Sequence, residues 1–103
     1  MKKRQILVIG NNDNGCTSES EKIAYEVGSE IAKSNSVLIT GGLGGVMRAA
    51  CHGAQESNGT TVGIIPQDDS SHANEFCDIV IPSGMGLTRD FLNALSADGV
   101  IVI

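Results

Sequence analysis

Val37-Leu38-Ile39-Thr40-Gly41-Gly42-Leu43-Gly44-Gly45-Val46-Met47 passes from a branched apolar run, through four glycines in five positions, into residues with helical spacing. A short apolar run of this kind reads as a strand buried on both faces. The glycines that follow allow positive φ and close helix–sheet packing, and they aim a helix N-terminus at the joint. Backbone N–H groups at such a joint suit an anion. The joint has two readings at this level, a tight turn or a ligand cradle.

Outward from the joint, the pattern repeats. Arg4 to Gly10 holds Ile6, Leu7, Val8 and Ile9 in succession, a first buried strand. The turn-rich loop Asn11 to Thr17 leads to Ser18-x-x-Glu21, which reads as a capping box. Ile23, Ala24, Val27, Ile31 and Ala32 then form a helical stripe ending near Ser34-Asn35. Beyond the glycines a helix is expected from about Gly44 to Ser57, with the small residues Val46, Ala49, Ala50, Gly53 and Ala54 facing inward against the sheet. Asn58-Gly59 closes it. A third strand runs over Thr60 to Ile65 and stops at Pro66, and a fourth over Cys77 to Ile81 stops at Pro82-Ser83-Gly84. A third helix, about Leu87 to Ser96, carries Leu87, Phe91, Leu92 and Leu95 on one side. Gly99 to Ile103 is the fifth strand.

Strands alternating with single helices make a doubly wound parallel α/β sheet of five strands in one Rossmann-like domain spanning residues 1–103, with expected order 3-2-1-4-5. Ligands on such sheets sit beyond the carboxyl ends of the strands, near the switch point between the first and fourth strands. Three loops converge there: Gly10 to Cys16, Gly41 to Gly45, and Pro82 to Thr88. The expected ligand contacts are Gly10, Asn11, Gly15, Gly41, Gly42, Gly44, Gly45, Met85 and Arg89. The N–H groups of Gly42, Gly44 and Gly45 would be donors, and Met85, with Met47, would line an apolar slot.

Composition narrows the function classes. With 103 residues the chain accommodates one core; it is 41% hydrophobic and 18% charged, with 13 glycines, which suits a folded α/β domain. The net charge of −5 argues against a nucleic-acid binder, since phosphate-backbone affinity needs clustered Lys and Arg and only Lys2, Lys3 and Arg4 cluster. The apolar run after them is too short for a signal peptide or membrane span, so the expected location is the cytoplasm. Cys16, Cys51 and Cys77 lie far apart without a C-x-x-C pair, so reduced thiols are expected, Cys16 being the exposed one.

Arg89 opposes the dipole at the start of its helix and calls for an anionic partner. That partner is Asp90 or Asp98, or else the carboxylate or phosphate of a ligand, for which the guanidinium fork is shaped. Asp68, Asp69, His72 and Glu75 lack a recognisable ligand spacing and read as a solvated loop, so no metal site is expected. His52 reads as a surface residue.

The stretches Ile6 to Gly10, Ala24-Tyr25-Glu26-Val27-Gly28, Leu38-Ile39-Thr40-Gly41-Gly42, Gly44-Gly45-Val46-Met47, Gly53-Ala54, Gly63-Ile64-Ile65-Pro66, Asn74, Arg89 and Ser96-Ala97-Asp98 together resemble the LONELY GUY-related family of Rossmann-like proteins. Its members are often labelled possible lysine decarboxylases or relatives of the DNA-processing protein DprA. The chain is most similar to the shorter branch, which includes molybdenum-cofactor carriers. The resemblance implies binding of a phosphorylated small molecule of nucleotide type without turnover, an AMP-like nucleotide or molybdopterin being the implied ligand. Alternatively it implies nucleoside 5′-monophosphate phosphoribohydrolysis, with Arg89 as the catalytic arginine, or carriage of the molybdenum cofactor. The hydrolases also use a glutamate in a P-G-G-x-G-T-x-x-E motif that would begin after Ile103, so the resemblance implies a chain truncated relative to the family. No lysine context for pyridoxal phosphate is visible. A homodimer or higher homo-oligomer is expected, because the last strand and the Leu87, Leu92 and Leu95 surface need cover.

Overall fold

Unbroken apolar runs fold here as the strands of one parallel sheet. The computed structural model describes residues 2–103. In chain order its elements are β1 (Gln5–Ile9), α1 (Ser18–Lys33), β2 (Val37–Thr40), α2 (Val46–Glu56), β3 (Thr61–Ile65), β4 (Ile79–Pro82), α3 (Arg89–Ser96) and β5 (Gly99–Val102), with 3-10 turns at Asp13–Gly15, Ser70–His72 and Gly86–Thr88. All paired strands are parallel. The cap of α1 lies one residue before the expected Ser18 box: Ser20 N donates to Thr17 Oγ1 at 3.1 Å, and Thr17 N donates to Ser20 Oγ at 2.9 Å.

The strand order is 4-3-2-1-5, which corrects the expected 3-2-1-4-5. β4 lies outside β3 instead of between β1 and β5. The cause is local, because the β3–β4 connection contains no α-helix and is stapled to the start of β3. Thr61 N donates to Asp78 Oδ2 at 3.0 Å, Asp78 N donates to Thr61 Oγ1 at 2.8 Å, and Thr61 Oγ1 donates to the Phe76 carbonyl at 2.6 Å. The apolar Ile79-Val80-Ile81 run has the composition of an interior strand, yet Ile79 and Ile81 are exposed at the edge. β5 takes the place beside β1, held by Asp98 N to the Gln5 carbonyl and Gln5 N to Asp98 Oδ2, at 2.8 and 2.9 Å. The switch point therefore lies between β1 and β5.

The register sorts side chains to two faces. Val8 and Leu38 pack with α1 and α2, while Leu7, Ile39 and Ile64 lie under α3 with Val62 and Leu92. Burying a Leu or Ile of this kind stabilises the fold by about 1.5–3 kcal/mol. The small residues of α2 serve chiefly to bring it against α1. A β-carbon on Gly53 would collide with the Tyr25 carbonyl, and one on Gly28 with the Ala50 carbonyl, so the helices meet backbone to backbone. Asn35 and Asn58 adopt left-handed φ of 60° and 59° after α1 and α2, a conformation that asparagine tolerates at helix ends.

On the opposite face a single helix of eight residues packs over β1 and β3. Its sides are arranged against expectation. Arg89 and Asn93 face inward, Leu92 rests on the sheet, Phe91 and Leu95 stand 67% and 71% exposed, and Leu87 in the turn before the helix stands 84% exposed. Val100 and Val102 of β5 are also exposed, as the sequence anticipated for a strand without its own cover. Among the described residues no helix is long and apolar enough to cross a membrane.

Candidate functional site

The glycine joint is built by its neighbours as much as by its own residues. Thr40 Oγ1 accepts from Gly42 N at 3.0 Å, turning the chain off β2. Gly42 has φ of 78°, and a β-carbon there would meet Ile65, so both conformation and space demand glycine. Asn74 clamps the loop from the far side: its N–H donates to the Gly42 carbonyl and its Nδ2 to the Leu43 carbonyl, each at 2.8 Å.

The N-terminus of α2 is already filled. Gly44 N donates to Asn12 Oδ1 at 3.0 Å, Gly45 N to Asp13 Oδ1 at 2.8 Å, and Val46 N to the Asn11 carbonyl at 2.9 Å. The N–H groups of Gly42, Gly44 and Gly45 are therefore not free donors, which corrects the expected cradle. The reason is electrostatic: the turn at Asp13–Gly15, pinned by Asn11 Nδ2 to the Gly15 carbonyl at 3.0 Å, delivers the chain's own carboxylate to the positive end of the helix.

Beside the filled joint lies a cavity of about 420 Å³ at the carboxyl ends of β1 and β2, roofed by α3. Gly10, Asn11, Gly41 and Arg89 all line it, together with Met47, Leu87 and Asn93. Gly15, Gly42, Gly44, Gly45 and Met85 do not. Gly15 folds the capping turn, and Met85 is exposed with its carbonyl accepting from Thr88 Oγ1 at 2.6 Å.

Arg89 is the cationic group among the residues lining this cavity, and it is only 6% exposed. Nη1 donates to the exposed carboxylate of Asp90, which settles the expected choice between Asp90 and Asp98. Nε is sealed from solvent without a partner. An unmatched buried donor costs about 1–3 kcal/mol. One turn along α3, Asn93 is 3% exposed and its Oδ1 is likewise unmatched. Asn93 escaped the sequence reading because α3 was given an apolar inner face. The available signal was the i, i+4 spacing of Arg89 and Asn93 between Leu87, Phe91 and Leu95, which puts polar and apolar residues on opposite sides.

The other candidates have structural partners. Glu75 forms a two-bond pair with Arg48, at 2.8 and 2.7 Å, which holds its carboxyl at about 2, well below the usual carboxylate range. Asp69 caps Ser71 N at 2.9 Å. His52 is stacked on Phe76 at 4.1 Å and meets Tyr25 edge-on at 5.2 Å. Cys51 is buried against Thr40, and Cys16 is partly covered. Among the described residues no group of three or more His, Cys, Asp and Glu is placed to hold a metal ion.

Residues 3–103 match the sequence model of the SLOG cluster4 family. The chain belongs to the SLOG cluster4 family. A protein of Archaeoglobus fulgidus without an assigned role is 43% identical over all of this chain and 66% of its own. The molybdenum cofactor binding protein of the phototrophic bacterium Rippkaea orientalis superposes with a TM-score of 0.96 at 39% identity, over 99% of this chain and 63% of that one. The Moco carrier protein of Chlamydomonas reinhardtii gives 0.90 at 36% identity, over 99% of this chain and 62% of its own. This SLOG cluster4 chain thus spans about two thirds of the length of these relatives, and the kinship with the carrier-containing branch is borne out.

Proposed function

We propose that this domain binds the molybdenum cofactor as cargo, in the cavity between Gly41 and α3, and holds it without turnover. The observation that carries the reading is Arg89, a buried guanidinium with an unmatched Nε on the wall of that cavity. Names borne by the similar Rippkaea and Chlamydomonas proteins supply the ligand class.

The residues present fit a phosphorylated pterin. Arg89 offers the fork that a phosphate takes, with Asp90 free to swing away because it is exposed. Gly41 makes room for the guanidinium, Met47 and Leu87 flank the space for a flat ring, and Gly10 and Asn11 border the opening. The cavity falls within the size range of small-molecule sites, about 300–1,000 Å³. The cargo brings the redox-active metal centre; the chain binds the phosphate, orients the ring and excludes water from it. Asp90, the carboxylate among the described lining residues, is engaged by Arg89.

Anaerobic equilibrium dialysis against cofactor released from a molybdoenzyme tests the reading. The protein should retain one equivalent, Arg89→Ala should retain none, and incubation with AMP should release no adenine. Equal retention by wild type and Arg89→Ala would remove Arg89 from the site, and adenine release would replace carriage by hydrolysis. A second copy would cover Leu87, Phe91 and Leu95, the apolar stripe that α3 and the turn before it present outward. Sedimentation of Phe91→Glu should then show a smaller species than wild type.

A further inference from the structure

Asn93 stands where an apolar residue would pack better. It lies on the inner side of α3, beside Leu92, which packs on Leu7, Ile39 and Ile64, and it lines the same cavity as Arg89. It is only 3% exposed, and its Oδ1 has no partner. A carboxamide oxygen is an acceptor that needs a donor, and leaving it buried and unmatched is unfavourable to the empty fold. A leucine there would fill a similar volume at no such cost.

We infer that Asn93 is a second ligand contact, reading the amide-type edge of the pterin ring whose phosphate Arg89 holds. The inference rests on the proposed cargo reading. The i, i+4 relation on α3 separates the two side chains by about 5–6 Å at their β-carbons, so one ligand spans both when its anion and its neutral donor–acceptor edge fit that span. Arg89 alone recognises any small anion; Asn93 adds a demand that a bare phosphate cannot meet. Discrimination of this kind is large where a buried polar group goes unpaired with the wrong ligand. The assigned role is specificity, and Asn93 takes no part in bond making.

Titration calorimetry with 6-(phosphooxymethyl)pterin and with inorganic phosphate, on wild type, Asn93→Leu and Asn93→Ser, tests the inference. Wild type should bind the pterin phosphate at least tenfold tighter than phosphate. Both variants should lose that preference while binding inorganic phosphate as wild type does, and Asn93→Leu should melt at a higher temperature than wild type. Undiminished pterin-phosphate binding by the variants would overturn the role of Asn93 and leave the cargo reading standing. A lower melting temperature for Asn93→Leu would mark Asn93 as structural and overturn the inference as well. Failure of wild type to bind either probe would overturn both readings together.

Discussion

Gly41 and Arg89 are matched by subtraction: a β-carbon built on Gly41 would stand 2.6 Å from Arg89 Nη2 and 2.7 Å from Met47 Sδ. The guanidinium occupies the volume that any other residue at position 41 would claim. The end of β2 and the start of α3 are thereby fitted to each other across the cavity.

Gly41→Ala should therefore displace Arg89 while leaving the sheet intact. We expect a loss of about tenfold or more in affinity for a phosphorylated ligand, equivalent to about 1.4 kcal/mol, with far-ultraviolet circular dichroism unchanged. Binding at the wild-type level would show that Arg89 can be moved without consequence.

Asp90 competes with any anion for Arg89. Its carboxylate is exposed and bonds Nη1, so Asp90→Asn removes a repulsive charge from the mouth of the cavity and frees a donor. Affinity for a phosphorylated ligand should rise severalfold, with a steeper dependence on salt because one more uncompensated charge is involved. A fall in affinity would mean that the ion pair positions Arg89 for the ligand.

Asp13 serves as an internal anion at the N-terminus of α2. Asp13→Ala leaves Gly45 N without its 2.8 Å acceptor and should cost about 0.5–2 kcal/mol of stability, as lost N-caps do. Sulfate or phosphate should recover part of that loss in the variant and none of it in wild type, read as the shift in urea midpoint. Identical salt responses would show that Asp13 is not the group that satisfies the helix end.

The Arg48–Glu75 pair sets a pH signature. The folded carboxyl lies at about 2 against an ordinary 4.5, so the ionised form is favoured by folding. Stability from this pair is present above pH 4.5 and is lost as pH falls toward 2. The melting temperatures of wild type and Glu75→Gln should differ at pH 6 and converge near pH 2. The pair is exposed, so the difference is small.

The sequence made the parallel sheet, its helices and the glycine joint legible, because apolar runs such as Ile6–Ile9 and Val37–Ile39 admit one interpretation when helices intervene. It concealed the strand order. Ile79-Val80-Ile81 is as apolar as an interior strand, and its edge position is decided by the Thr61–Asp78 staple, a long-range contact without a periodic signal. At the site, Arg89 was visible through its conflict with the helix dipole. Asn12 and Asp13 were not, since only the folded chain shows that they reach Gly44 and Gly45 across 32 positions of sequence. Asn93 was hidden because hydrophobic spacing assigns an inside to every amphipathic helix, and α3 turns its apolar side out.

The connection that carries α3 runs from the outermost strand on one flank to the outermost strand on the other, which gives it a mechanical part as well as a chemical one. β4 and β5 sit at opposite margins of the sheet, and the segment joining them carries both Arg89 and Asn93. Cargo seated under this strap would brace the two margins at once, so loading would slow proteolytic nicking at β4 and β5 alike.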